Sequence, residues 1–260
     1  MSAVDIAAFV DELAKVAGDA IRPFFRTALA IDNKRRKGSF DPVTAADRAA
    51  ETAMRALIRQ QFPTHGIIGE EFDDVKGSGP YTWVLDPIDG TKSFIAGMPV
   101  WGTLIGLCKD DLPVYGLMAQ PFIGERFTGD GASAKYRGPA GERKLMTRPC
   151  ASLEDALLFT TSPHLFTPEE RERFETVEKH VQLSRFGGDC YAYCMIAAGY
   201  VDLVVEAGLD AYDIIPLIPI IEGAGGVITN WQGESAARGG RIVAAGDRRL
   251  HEAALKLLNA

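Results

Sequence analysis

Residues 81–94 read YTWVLDPIDGTKSF, so the apolar run Trp83-Val84-Leu85 leads directly into two carboxylates, Asp86 and Asp89, separated by a proline. Pro87 and Gly90 are ordinary turn residues, and a turn alone accounts for them. It does not account for a second acidic pair, Glu70-Glu71, which follows another apolar run, Gly66-Ile67-Ile68. Acidic groups at the ends of two short apolar runs point to carboxylates gathered at one edge of a sheet. Such groups repel unless a cation sits between them. Carboxylate and carbonyl oxygens are hard ligands that suit Mg2+ or Mn2+ rather than zinc. A further acid, Asp213, lies far along the chain in EAGLDAYDIIP at the start of an expected helix. In the turn, Pro87 restricts the backbone and can aim the Ile88 carbonyl alongside both carboxylates. Gly90-Thr91 follow, and KSF starts a short helix whose backbone N–H groups face an anion. Metal ligands beside an anion cradle suit phosphoryl transfer to water.

Each of these residues also has a plainer reading. Asp213 can simply cap a helix, Asp47 can complete a capping box, and Thr91 can cap the short helix after Gly90.

The elements that must position these groups follow from periodicity. Ile6, Phe9, Val10, Leu13, Val16, Ala17, Ile21 and Phe24 recur at helical spacing, which predicts one amphipathic helix over 4–27. Thr44 fits the N-cap of a second helix, with Asp47 three residues on, and Pro63 closes it. From 66 to about 135, short apolar runs alternate with Gly, Pro and Asp turns, predicting a mainly antiparallel strand region. Beyond about 140 strands and helices alternate: strands at 156–161, 182–186, VDLVVE, 226–229 and 241–245, helices at 168–180, 189–198, 214–222 and 251–258. This predicts an N-terminal α+β half over 1–140 and a C-terminal layered α/β half over 141–260, joined by a Gly/Pro/basic stretch at 136–150.

Composition narrows the function classes. The 260 residues carry a formal charge of −7, which argues against a nonspecific nucleic-acid binder. The basic run Lys34-Arg35-Arg36-Lys37 reads as a solvated loop. No run approaches the ~18 apolar residues that span a bilayer, and the N-terminus does not resemble a signal peptide. The four cysteines form no CxxC pair and the four histidines are scattered, so neither a disulfide framework nor a zinc site is expected. A reduced, cytoplasmic protein is expected.

Taken together, GEE at 69–71, DPIDGT at 86–91 and YD at 212–213 ahead of EGAGG resemble the inositol monophosphatase family of metal-dependent phosphatases. The resemblance extends from VTAAD at 43–47 to AAG at 244–246. FGGDCYAY at 186–193 and DGTKSFIAGMPVWGTLIGL are most similar to the family's bacterial and plant histidinol-phosphate phosphatases. Inositol phosphatases usually have a small residue where this chain has Asp189, and Thr-Asn where it has Lys92-Ser93.

The resemblance implies an α/β fold, a layered αβαβα sandwich of the inositol monophosphatase/fructose-1,6-bisphosphatase type, commonly a homodimer. It implies two or three Mg2+ ions, with Mn2+ as an alternative. Glu70, Asp86 and the Ile88 carbonyl would hold one ion; Asp86, Asp89 and Asp213 would hold the second, with Glu71 beside a third or outside the ligand set. One ion would activate water and the other steady the leaving oxygen. Thr91 would bind that water, Asp47 would hydrogen-bond Thr91, and the Gly90 and Thr91 amides would receive the phosphate. Ile88, Asp89, Gly90, Thr91, Arg185, Asp189, Glu206 and Asp213 would line the substrate. Inhibition by Li+ is implied as well, subject to the loop at 39–41.

For the substrate, the resemblance favours L-histidinol phosphate, placing the enzyme in histidine biosynthesis. Asp189 and Glu206 would put negative charge beside the organic part, which favours a cationic amine over a neutral polyol. Arg185 would pair with one of these acids or reach a phosphate of its own or a neighbouring subunit. The plainer reading is that Asp189 caps the helix at 190–198 and Glu206 ends a strand. Inositol 1-phosphate or a broad range of polyol phosphates is the alternative substrate class, and a catalytically silent binding protein of the same fold is the alternative function.

Overall fold

The structure, a computed structural model, describes residues 5–27, 32–33 and 42–260. The basic run at 34–37 and the loop at 39–41 lie outside the described residues.

Helix α1 (Ile6–Ile21) begins at Asp5, whose carboxylate accepts from the Ala7 and Ala8 N–H groups. The expected continuation to 27 is a series of turns instead. Pro23 removes a donor and crowds the preceding turn, and Arg26 takes a left-handed backbone, φ 61°. Short strands β1 (Asp32–Asn33) and β2 (Pro42–Val43) pair antiparallel. Helix α2 (Ala45–Gln61) starts with the capping box expected from Thr44 and Asp47.

Seven strands then form one sheet in sequence order: β3 (Gly66–Gly69), β4 (Tyr81–Asp89), β5 (Gly102–Lys109), β6 (Leu112–Gln120), β7 (Glu125–Gly129), β8 (Ala134–Gly138) and β9 (Gly141–Lys144). Only β3 and β4 are parallel. Helix α3 (Thr91–Ile95) links β4 to β5. The stretch at 136–150, expected to be a connection, contains the end of β8 and all of β9. Every residue of β9 is exposed, so it carries no apolar alternation to betray a strand.

The second sheet contains β10 (Leu157–Thr160), β11 (Leu183–Phe186), β12 (Leu203–Leu209), β13 (Val227–Asn230) and β14 (Gly240–Ala245), in the order β11-β10-β12-β14-β13. Helices α4 (Pro168–Glu178), α5 (Asp189–Ala197), α6 (Ala211–Ile214), α7 (Ile218–Gly223) and α8 (Arg248–Leu258) connect or cover it. The helix expected at 214–222 is divided into α6 and α7 around Pro216, which cannot donate to the preceding turn.

Three apolar clusters define five layers. Leu13, Met54 and Ile58 of α1 and α2 pack on Trp83, Leu85, Ile105 and Leu117 of the first sheet. Leu104, Met118 and Phe127, alternating with those residues, face α5 and α7 on the other side, where Cys194, Ile196 and Ile220 meet Val204 and Ile242 of the second sheet. Phe174 and Val177 of α4 and Leu250 and Leu258 of α8 close the outer face on Leu158, Val205 and Val243. The chain is therefore an αβαβα sandwich. Close approach of the α6–α7 connection to the first sheet depends on Gly116, where a Cβ would collide with the Pro216 carbonyl. The middle layer brings the C-terminal ends of β4 and β12 to the start of α5 and α6.

Candidate metal and phosphate site

Strand β4 ends in an irregularity that matters for chemistry. Asp86 lies opposite Leu104 and Asp89 opposite Gly102, so three steps on β4 span two on β5. Residues three apart in a regular strand point to opposite faces; the bulge brings both carboxylates to one side. The Thr103 hydroxyl holds the bulge by donating to the Pro87 carbonyl at 2.8 Å. Asp213, in the first turn of α6, completes the group: one carboxylate oxygen from each of Asp86, Asp89 and Asp213 lies within 4.8 Å of the others.

Each member is anchored by a backbone donor. Ile88 N–H donates to Asp86 at 3.0 Å, Cys190 N–H to Asp89 at 2.6 Å, and Asp210 N–H to Asp213 at 2.7 Å. Asp210, not Asp213, is the α6 N-cap, and Asp213 is the reciprocal member of the capping box. Burial first, then Glu70, Asp89 and Asp213, pushes the Asp86 carboxyl well above the usual range. Burial and then Asp189 raises Asp89 to about 8. Burial and then Asp89 raises Asp213 strongly. Among the described residues, no lysine or arginine forms an ion pair with these three acids, and their charged neighbours are other carboxylates. A buried all-oxygen group of this kind fits a hard divalent cation.

Glu70 follows β3 and lines the same cavity as Asp89 and Asp213. A buried pair that the motifs do not reveal positions its segment. Glu51, fully buried, accepts from Arg55 Nε at 2.7 Å and from the Glu71 N–H at 2.8 Å. Arg55 in turn donates to the carbonyls of Phe72 and Asp73 at 2.9 and 3.0 Å. The sequence signal was available: Glu51 and Arg55 stand on the stripe of α2 that also buries Ala50, Met54 and Ile58.

Asp47 and Thr91 are not linked as expected. The Thr91 hydroxyl donates to the Ile88 carbonyl at 3.1 Å. Asp47 spends one oxygen on the Thr44 N–H and hydroxyl, at 2.9 and 2.6 Å, while its Oδ1 is buried without a hydrogen-bond partner. The capping box and the turn at Ile88–Thr91 each satisfy their own hydroxyl first.

The cavity, about 270 Å³, runs from Glu70, Asp89 and Asp213 past Gly90, Thr91 and Lys92 to Asp189, Tyr193 and Glu206. Gly90 has φ 83°, a conformation glycine adopts without strain. Glu206 accepts from the Thr161 N–H and hydroxyl at 2.7 and 2.5 Å and from the Tyr193 hydroxyl at 2.8 Å. Burial, set against these donors, leaves its pKa at about 7. Asp189 does not cap α5: the N-cap is Gly188, and the Asp189 carboxylate accepts from the Ser93 hydroxyl at 2.9 Å. Arg185 stands exposed on the edge strand β11, opposite Phe159, outside the cavity lining, and pairs with neither Asp189 nor Glu206. An edge strand at the far side of β10 holds it away from the site. Thr161, Tyr193 and Ser93 were not singled out as site residues in the sequence, because their roles depend on contacts between distant segments.

Comparison with known proteins agrees with this geometry. The model of the inositol monophosphatase family matches residues 3–260. The bifunctional phosphatase IMPL2 of Arabidopsis thaliana is 44% identical over 264 residues, covering 97% of this chain and 74% of that protein. The histidinol-phosphatase of Mycobacterium tuberculosis is 36% identical over 267 residues, 100% of this chain and 97% of the relative. A solved structure of an inositol monophosphatase from Zymomonas mobilis superposes with a TM-score of 0.86 at 43% identity, covering 97% of each chain. The chain belongs to the inositol monophosphatase family of phosphatases.

Proposed function

We propose that this protein is a Mg2+-dependent phosphomonoesterase whose principal substrate is L-histidinol phosphate. The observation that carries the substrate reading is the pair Asp189 and Glu206. Both line the cavity that holds Asp89 and Asp213, and their hydrogen bonds come from hydroxyl and backbone donors. Among the described residues neither forms a direct ion pair with a lysine or arginine, and the one cation that acts on Asp189 from the cavity wall is Lys92. Acids in that position favour a substrate that brings its own positive charge, because unpaired carboxylates are costly to desolvate against a neutral ring. Histidinol phosphate carries an ammonium and an imidazole that titrates near neutrality. Relatives named histidinol-phosphatase support the same reading.

Glu70, Asp86, the Ile88 carbonyl, Asp89 and Asp213 would hold the divalent ions. Bound there, Mg2+ supplies neutralisation of phosphate charge and acidification of water. The protein's own contribution is placement. The bulge at Asp86–Asp89 fixes the ligand geometry, and Gly90 lets the backbone approach a phosphate oxygen without a side chain in the way. The Gly90 and Thr91 amides donate to that phosphate, while Glu206, fixed by Thr161 and Tyr193, and Asp189 receive the cationic end. Asp47 keeps an unpartnered buried oxygen for a proton or a water near Glu70. The family resemblance further leads us to a cytoplasmic homodimer, which sedimentation at micromolar concentration tests.

The alternative is hydrolysis of inositol 1-phosphate or a broad set of polyol phosphates. The likeness to the Zymomonas mobilis inositol monophosphatase favours it. The two readings separate on Asp189→Ala. Under the proposal this change lowers kcat/KM for L-histidinol phosphate more than for inositol 1-phosphate and narrows the gap between them. An equal loss on both substrates contradicts the assigned role of Asp189.

A further inference from the structure

Ser93 and Asp189 are 96 residues apart in sequence and hydrogen-bonded in the fold, at 2.9 Å. We propose that Ser93 is a specificity-positioning residue: its hydroxyl fixes the Asp189 carboxylate so that one rigid unit seats both the phosphate and the cationic end of the substrate. The role rests on the histidinol-phosphate reading above.

Three contacts make the unit. Ser93 lies in α3, two residues after Thr91, and donates to Asp189. Asp89 accepts from the N–H of Cys190, the residue after Asp189, at 2.6 Å. Gly90 lies against Asp189: a Cβ on Gly90 would stand 3.0 Å from the Asp189 carboxyl carbon. The first turn of α5 is thus stitched to the segment 89–93 at successive points.

Asp189 itself needs such support. Its φ is 43°, in the left-handed region that non-glycine residues seldom occupy. Without its own helix-capping bond, the side chain is held by the Ser93 hydroxyl. Glu206, the other acid of the cavity, takes the hydroxyls of Thr161 at 2.5 Å and Tyr193 at 2.8 Å. A hydroxyl carries one hydrogen, and that of Thr161 is given to Glu206. Ser93 supplies Asp189 with a donor of its own.

Steady-state kinetics of the full chain test this, using L-histidinol phosphate and phenyl phosphate at one Mg2+ concentration. The parent, Ser93→Ala, Ser93→Thr, Asp189→Ala and the double variant Ser93→Ala/Asp189→Ala are compared. Loss of a hydrogen bond to a charged group predicts about a tenfold rise in KM for histidinol phosphate in Ser93→Ala, with a smaller effect on kcat. The loss on phenyl phosphate, which has no cationic end, is at most a third as large. Ser93→Thr keeps the hydroxyl and recovers to within about threefold of the parent. In the Asp189→Ala background the further Ser93→Ala change costs under about twofold on histidinol phosphate, because the partner is already gone. Ser93→Cys, nearly isosteric with a weak donor, repeats the test if the alanine variant does not fold. Equal losses on both substrates, or a full Ser93 effect without Asp189, overturn the positioning role and leave the substrate reading intact. A parent that does not prefer histidinol phosphate over inositol 1-phosphate overturns both.

Discussion

Replacing Asp86 with asparagine separates the two roles that a buried acid at this position plays. Asp86 is 1% exposed, and burial, followed by Glu70, Asp89 and Asp213, raises its pKa well above the ordinary range. With no cation present, unit charges at 4.8 Å repel by about 3.5 kcal/mol at an effective dielectric of about 20. Asp89 and Asp213 together would impose roughly 7 kcal/mol of gross repulsion on an ionised Asp86. Proton uptake caps that cost. Protonating an aspartate at pH 7 takes about 1.4 kcal/mol for each unit above ~3.9, or about 4 kcal/mol. Asparagine carries no charge and keeps an Oδ1 for the Ile88 N–H, now 3.0 Å away, so it recovers part of that ~4 kcal/mol in the metal-free protein. The sign follows from the raised folded-state pKa. Stability from protonated Asp86 is complete below the unfolded pKa and is lost as pH rises, so the gain from asparagine is largest at neutral pH and fades near pH 4. A gain of about 2 kcal/mol raises the Tm by roughly 4–8 °C in a chain of this size. Thermal unfolding by circular dichroism in EDTA, then in excess Mg2+, with phosphate release in parallel, reads both roles. The expected result is a variant more stable than the parent in EDTA, not further stabilised by Mg2+, and below a tenth of parental turnover. A folded Asp86→Asn protein keeping more than a tenth of the activity, or less stable than the parent in EDTA, rules out these roles for Asp86.

Two further expectations concern other parts of the molecule. Arg55→Met leaves Glu51 buried without its cation and frees the carbonyls of Phe72 and Asp73, so about 3–5 kcal/mol of stability should be lost; denaturant unfolding measures this, and a loss under ~1 kcal/mol contradicts it. Burial lowers the pKa of His251, which contacts the Thr229 hydroxyl at 2.9 Å, to about 4. Its contribution is present above the unfolded value of 6.5 and lost as pH falls through about 4, so His251→Gln should flatten the stability profile over that window; an unchanged profile would exclude the residue as a source of it.

How far the sequence reveals this molecule depends on how local the deciding interaction is. Thr44 and Asp47 are three residues apart, and their capping box forms as the spacing implies. The apolar runs of β4 and β5 and the second half of β6 are buried on both faces and read clearly, whereas β9 is exposed throughout and does not. Pro216 was visible, but its power to divide α6 from α7 depends on Gly116 and the neighbouring sheet admitting the turn. In the site, the acidic clusters were legible because carboxylates next to apolar runs are unusual, and the fold does gather Asp86, Asp89 and Asp213. The links among them were not. Thr91 bonds Ile88 rather than Asp47, Arg185 lies outside the cavity, and Ser93 meets Asp189 only after the two sheets have packed around α5. Those contacts depend on tertiary docking, to which periodicity and motif spacing are blind.

Selection of a substrate with a cationic organic group is what the proposed function requires of this phosphatase site. Phosphate release from L-histidinol phosphate and from inositol 1-phosphate, at matched Mg2+ and pH, tests it most directly. The expected kcat/KM is at least about tenfold higher for histidinol phosphate, a difference of about 1.4 kcal/mol in transition-state binding. Equal efficiencies, or faster turnover of inositol 1-phosphate, contradict it.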